Sequence, residues 1–188
     1  VGYAMQRIRL ERANAELGEA NALLARQATT DPLTGLMAKH RFDAMLSQAF
    51  DSALADGRPL SVLMLDMDGL RSINDRHGHP MGAHTIAEVG QLIGRVVGLH
   101  GEACRFGGDE FSVQLAGSPV AVARRIGERI RQAVQEASFA LGDATVTATI
   151  SIGVADVTPA MQSVRELVSA ADLALYRAKD AGRNRVSD

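Results

Sequence analysis

The chain has 188 residues, 46% of them apolar and only 4% aromatic, with no Trp, so aliphatic side chains and alanine must build its core. A formal charge of −2 supplies no global field that would draw it to nucleic acid or a membrane surface. No apolar run reaches membrane-spanning length, no signal-peptide pattern is present, and the single cysteine, Cys104, rules out an internal disulfide and suits a reducing compartment.

Residues 1 to about 28 have the pattern of one helix. Tyr3, Leu10, Leu17 and Leu24 recur every seven residues, with Arg7, Asn14 and Asn21 four after the first three. With the leucines at d and the asparagines at a, this is the pattern of a parallel two-stranded coiled coil, in which a buried Asn fixes register. A single amphipathic helix lying on the domain is the other reading. Because Val1 already falls inside this helical segment, we expect a fragment of a longer protein, with a sensor or membrane anchor upstream. Thr29-Thr30-Asp31-Pro32 ends the helix, since proline forces its predecessor away from helical angles. The division expected is therefore a helix over 1–30 and a domain over 31–188.

A helix is predicted from about Lys39 to Ala55, with Phe42, Met45, Leu46, Ala49 and Phe50 on one face, and Asp56-Gly57-Arg58-Pro59 breaks it. Leu60 to Asp66 is the most strand-like stretch. Its run Val62-Leu63-Met64-Leu65 suits a central strand buried on both faces. The strand ends at Asp66-Met67-Asp68, and carboxylates just past the end of a central strand are where an open sheet binds its ligand. A loop or short helix carries Arg71 and Asn74. Gly78, Pro80 and Gly82 then break the chain before a helix from about Gly82 to Val97.

Apolar runs at 103–106 and 111–115 flank Gly107-Gly108-Asp109-Glu110, which predicts a hairpin with the glycines in its two-residue turn. Cys104 falls in a buried strand and is a packing residue. Two carboxylates beside backbone without side chains suit metal or phosphate chemistry, because a ligand can approach Gly107 and Gly108 closely. A solvated hairpin carrying two surface acids is the plainer alternative. Farther on, a helix is expected from about Pro119 to Glu136. A strand with one buried face follows over Val146–Ile152, then a helix from Ser163 to about Ala181 and a short edge strand at 184–186. This order of elements implies an α/β or α+β domain, a sheet with helices packed on it.

Gly107-Gly108-Asp109-Glu110-Phe111 resembles the signature of the GGDEF family, the diguanylate cyclases. The resemblance extends, in order and spacing, to Asp31-Pro32-Leu33-Thr34-Gly35-Leu36, to Asp66-Met67-Asp68 with Ile73-Asn74-Asp75 and Gly78-His79, and to Lys179-Asp180-Ala181-Gly182-Arg183-Asn184. It implies a ferredoxin-like βααββαβ palm preceded by a signalling helix. It also implies a cytoplasmic bacterial enzyme that joins two GTP into cyclic di-GMP with release of pyrophosphate, working as a dimer through the coiled coil. Asp66, the Met67 carbonyl and Asp109 match the family's metal positions, for Mg2+ or Mn2+. Asp109 and Glu110 are the catalytic positions, Glu110 in metal binding or in deprotonating the attacking hydroxyl. Backbone amides of Asp68, Gly69, Leu70 and Arg71 are candidates to cradle phosphates. Asp68 is the weaker metal candidate and a shaper of its loop. Lys179 and Arg183, four apart on one predicted helix face, make a solvated basic face by themselves and match triphosphate contacts by resemblance. His77, His79 and His84 have no recognised zinc spacing and no cysteine nearby, and are given structural roles.

The chain departs from the family pattern in three places. Asn74 matches the guanine-reading Asn, but its partner Asp is replaced: the chain has Gly82-Ala83 where the family has Gly-Asp. Gly69-Leu70 replaces a commoner Phe-Phe pair. Gly98 and Gly101 stand where an inhibitory Arg-x-x-Asp is usual, so an inhibitory site is not expected. Two further functions therefore stay open at this point. One is a cyclase of relaxed specificity that also takes ATP and makes cyclic GMP-AMP. The other is a non-catalytic nucleotide-binding signalling domain.

Overall fold

The computed structural model describes Arg7 and residues 29–188, so the predicted coiled-coil helix, Arg7 apart, lies outside the described residues. The described chain runs α1 (Lys39–Asp56), β1 (Leu60–Asp68), α2 (Leu70–His77), α3 (His79–Val97), a 3-10 turn (Gly98–His100), β2 (Glu102–Gly107) and β3 (Glu110–Ala116). It continues with α4 (Val120–Glu136), β4 (Phe139–Leu141), β5 (Ala144–Val146), β6 (Thr149–Asp156), α5 (Val164–Asp180) and β7 (Val186–Ser187). From β1 to β6, leaving aside the small β4–β5 hairpin, the order is βααββαβ, the palm that the motifs imply.

Five strands form one sheet in the order β2-β3-β1-β6-β7. β1 lies between β3 and β6, antiparallel to both, and β7 adds parallel to β6. The apolar run of β1 is buried on both faces because each face meets its own helical layer. Leu63, Leu65 and Met67 join the core with α3 and α4, and Leu60, Val62 and Met64 join the core with α1 and α5. Phe42 and Phe111 are wholly buried, one in each layer, so few aromatics suffice.

Helix α5 comes down onto the sheet unusually closely. A Cβ on Gly153 of β6 would lie 2.1 Å from the Leu175 backbone nitrogen and 2.2 Å from the Ala171 carbonyl. Glycine on the strand and fully buried Ala171, Ala174 and Ala178 on the helix remove the side chains that would otherwise hold the layers apart. That contact sets the end of α5 over the end of β1.

Four expectations change. Helix α3 begins at His79, because Pro80 occupies its first turn, where proline needs no hydrogen-bond donor. The hairpin turn is Gly108-Asp109, with Gly107 still paired to Glu110, and only Gly108 has positive φ, +55°. The predicted strand 146–152 is the end of β5 and the start of β6 with a break between. Val146, Ala148, Ile150 and Ile152 do point into one core, but Ser151 on the other face is fully buried under α5. The hairpin β4–β5 was not foreseen, although Gly142-Asp143 is a turn signal and Gly142 has φ +59°.

Candidate active site

Strand pairing brings the acids together. In the ladder between β1 and β3, Asp66 lies directly opposite Glu110, and the Met67 amide donates to the Asp109 carbonyl at 3.2 Å. Helix α5 supplies the opposite charge: Lys179 Nζ lies 2.9 Å from Asp66 Oδ2, with the Asp66 side chain 14% exposed. Burial pushes the Asp66 carboxyl above its usual range. The Lys179 hydrogen bond and charge pull it back, and the charges of Asp109 and Asp68 push it further up. Glu110 is raised by burial and by the Asp66 charge, partly offset by Lys179, with Asp109 and Asp172 adding to the rise. Asp172 on α5 is raised by burial and eased by Lys179. The site is thus a crowd of acids held around one ammonium. Sequence reasoning missed Asp172, although it lies seven residues before Lys179 and so on the same side of one helix.

Among the described residues no three carboxylate, imidazole or thiol groups converge as a metal cage. The donors fit a hard divalent cation in kind, being carboxylate and carbonyl oxygens, and such an ion commonly takes one or two carboxylates and completes its shell from phosphate and water. Asp66, Asp109, Glu110 and the Met67 carbonyl are the groups that would hold it.

The hairpin turn is braced from behind by Arg105. Its Nε donates to the Gly108 carbonyl at 2.8 Å, and its guanidinium lies 3.7 Å from Asp31. Asp31 in turn accepts from the Thr34 amide (2.9 Å) and hydroxyl (2.7 Å), and the Met37 amide donates to Ala103 on β2. The entry motif is therefore a turn docked on the strand that leads to the acids.

On the other side of the strand end, Gly69 takes φ +74°, a left-handed value that suits glycine, and caps α2. The amides of Leu70 and Arg71 stand in the first turn of that helix, while Leu70 packs partly against the core and the Arg71 side chain is exposed. A polar cavity of about 330 Å3 borders this loop, lined by Asp68, Gly69, Ser72, Arg76 and Thr147 among others. Asn74 packs against α3 at Gly82, where any Cβ would lie 1.9 Å from the Asn74 Oδ1. That oxygen is buried without a hydrogen-bond partner, an unmet acceptor between α2 and α3, and Ala83, partly buried, is the next residue along.

Asp68 shapes its loop, one of the two roles expected of it: its carboxylate accepts from Thr149, Ser151 and the Asn184 amide. One site expectation is corrected. Lys179 and Arg183 do not share a helix face: α5 ends at Asp180, and Arg183 lies beyond it at φ +62°. Cys104 is fully buried and its thiol is pushed up to about 12 by burial, as befits packing.

A palm-like sheet with paired acids at the end of its central strand, a glycine hairpin beside them and a lysine from the last helix make an acid-lined site on a mixed α/β domain. Residues 28–185 match the model of the family described as diguanylate cyclase, GGDEF domain, and the chain belongs to the GGDEF family. Diguanylate cyclase A of Treponema denticola is 36% identical over 170 residues, 89% of this chain and 46% of that protein. The response regulator PleD of Caulobacter vibrioides is 35% identical over 85% of this chain and 36% of its own. The chain thus spans less than half the length of these curated relatives. Among solved structures, the GGDEF domain of DgcB from Caulobacter crescentus in complex with c-di-GMP matches with a TM-score of 0.81 at 34% identity, covering 85% of this chain and 95% of that one. The coiled coil and GGDEF domain of the same protein matches with 0.81 at 33% identity, covering 96% and 97%.

Proposed function

We propose that this chain is the catalytic module of a diguanylate cyclase, condensing two GTP into cyclic di-GMP. The observation that carries this is the Asp66–Glu110 cross-strand pair, crowded by Asp109 and balanced by Lys179 at 2.9 Å. In each half-reaction a 3′-oxygen bonds to the α-phosphorus of the other nucleotide, the bond to the leaving pyrophosphate breaks, and the hydroxyl proton goes to a base. Such chemistry depends on charge neutralisation and in-line positioning rather than on a protein nucleophile. A divalent ion, Mg2+ or Mn2+, would polarise the α-phosphate and the attacking oxygen.

The residues divide the remaining work. Glu110 takes the hydroxyl proton in this reading, which its carboxyl, raised above the ordinary range by burial and by Asp66, supports. Lys179 leaves Asp66 for the triphosphate, freeing the carboxylate as phosphate charge arrives, and Arg183 supplies the second cation. The bare backbone of Gly107 and Gly108, where a Cβ would meet nothing within 4 Å, lets phosphate lie against the hairpin. Asn74 contacts the base. One domain holds one nucleotide and the product contains two, so two sites must face each other. A parallel coiled coil over residues 1–28 would pair them, a reading supported by the likeness to the coiled coil and GGDEF domain of DgcB.

Incubation with GTP, with ATP and with both, in the presence of Mg2+, followed by separation of the products, tests the proposal. Cyclic di-GMP and pyrophosphate from GTP in a ratio of one to two is the expected result. Tight GTP binding without turnover would instead make this a nucleotide-sensing domain.

A further inference from the structure

The carboxylate of Asp68 ties together parts of the chain that are far apart in sequence. Oδ1 accepts from Ser151 Oγ at 2.7 Å, and Oδ2 accepts from Thr149 Oγ1 at 2.8 Å and from the Asn184 amide at 3.1 Å. The Asn184 side chain makes two further bonds: its Oδ1 accepts from Arg131 Nη1 at 3.0 Å, and its Nδ2 donates to Gln135 Oε1 at 2.9 Å. Arg131 is itself fixed to Glu128, with Nε at 2.9 and 3.0 Å from the two carboxylate oxygens and Nη2 at 2.6 Å. Polar contacts therefore run unbroken from Glu128 on α4, through the turn after α5, to the end of β1.

Arg183 sits inside that turn. Its φ of +62° is a conformation that residues with a Cβ seldom adopt, and Asn184 follows at +46°. Asn tolerates this region; Arg does not, and needs its surroundings to impose it. They do so from both sides. The Arg183 amide donates to the Ala178 carbonyl at 3.0 Å, and the Ile152 amide donates to the Arg185 carbonyl at 2.9 Å.

We propose that Asn184 and Arg131 are positioning residues for the triphosphate contact of Arg183. The Asn184 amide ties the left-handed turn to Asp68, two residues from Asp66 on the same strand, and the Asn184 side chain ties the same turn to Arg131 and Gln135 on α4, so the turn is clamped from both sides. Phosphate-binding arginine and catalytic carboxylate are thereby fixed to one frame before the nucleotide arrives. Without the clamp, the turn would have to be ordered at the expense of binding free energy. This rests on the reading of Arg183 given above.

Calorimetry with a GTP analogue carrying a non-hydrolysable α–β bridge, plus Mg2+, measures the effect apart from turnover. Arg131→Met is expected to weaken affinity about three- to tenfold, the size of one net hydrogen bond. Arg183→Ala is expected to weaken it about tenfold or more, as loss of a charge-assisted contact does. Because Arg131 acts only through Arg183, the double variant should bind like Arg183→Ala alone. Asn184→Gly, which keeps access to positive φ but deletes the side-chain bonds, should match Arg131→Met and carries the test should that variant fail to fold. Unchanged affinity in Arg131→Met or Asn184→Gly, or losses that multiply in the double variant, would overturn the clamp. Unchanged affinity in Arg183→Ala would overturn the triphosphate reading itself, and the clamp with it.

Discussion

Strand β2 has a turn at each end, and the two are built on opposite terms. At its C-terminal end, Gly108-Asp109 leads into Glu110, where acids crowd each other around Lys179 and Arg105 braces the turn. At its N-terminal end, Gly98–Gly101 carries neither the Arg nor the Asp of the usual inhibitory motif. Its shape depends on glycine: Gly98 has φ +50°, and a Cβ on Gly101 would lie 2.1 Å from the Gln114 carbonyl. A cavity of about 700 Å3 lies beside this loop; Gly98 to Gly101 line it without an Arg or Asp, and its charges come from Asp56, Arg58 and Glu102 around them. One end stores charge at some cost to the fold; the other gives charge up and packs backbone on backbone. On the proposed reading the acid end serves catalysis, while the glycine end lacks the charged pair that the family uses for feedback.

The charged end is tested most severely by Glu110→Gln. Removing the candidate base and metal-facing carboxylate should lower cyclic di-GMP formation by about a hundredfold or more, since such groups contribute several kcal/mol to the transition state. A pyrophosphate-release assay reads this directly, and near-native activity would take Glu110 out of the chemistry.

Next in size is base choice, which the proposed reading assigns to the surroundings of Asn74 rather than to either turn. Ala83→Asp should raise the preference for GTP over ATP by roughly ten- to a hundredfold, because a carboxylate accepts from two guanine donors and opposes the acceptor N1 of adenine. Rates with each nucleotide for wild type and variant decide it. Equal GTP/ATP ratios would mean that Asn74 and pocket shape already select the base.

The glycine end gives a prediction of opposite character. Restoring the family residues by Gly98→Arg with Gly101→Asp should not restore feedback. It should cost about 1–3 kcal/mol of stability, from overpacking against the Gln114 carbonyl and strain at positive φ. Thermal unfolding and activity titrated with cyclic di-GMP check both halves. Saturable inhibition in a stable double variant would show that only the side chains had been missing.

Which parts of this contrast could be seen in the sequence follows from range. The continuous apolar run before Asp66 identified β1 and the position of its carboxylates, because burial on both faces leaves a local signature. Gly107-Gly108 marked the hairpin one residue off, since a β-bulge between Arg105 and Gly107 shifts the register. The full anchoring role of Asp68 is hidden for a different reason. Its partners Thr149, Ser151 and Asn184 are 81 to 116 residues away, and no local pattern announces them. The end of the last helix near Ala181 is legible from Gly182, and that end already conflicts with reading Lys179 and Arg183 as one helix face from their spacing of four. The glycine contacts at 101 and 153 concern backbone approach, which becomes visible only once strands and helices are assembled.

The smallest effect is also the most specific to the charged end. A carboxyl raised in the folded state binds protons more tightly there than in the unfolded chain, so stability is lost as pH rises through the folded pKa and is unaffected below the unfolded one. Glu110 is such a group, raised by burial and then by Asp66. Glu110→Gln should therefore stabilise the protein at pH 7, by roughly 1–2 °C in Tm because an exposed carboxylate is well screened. At pH 4, below the ordinary Glu value, the carboxyl is mostly protonated in both states and most of the difference should be gone. Calorimetric scans of both proteins at the two pH values make the comparison. A Tm difference that is the same at both would assign it to packing of the amide and not to charge. The carboxylate crowd would then lose its standing as a cost accepted for chemistry. A gain at pH 7 alone, in the variant with the largest loss of turnover, would show one residue working against the fold and for the reaction.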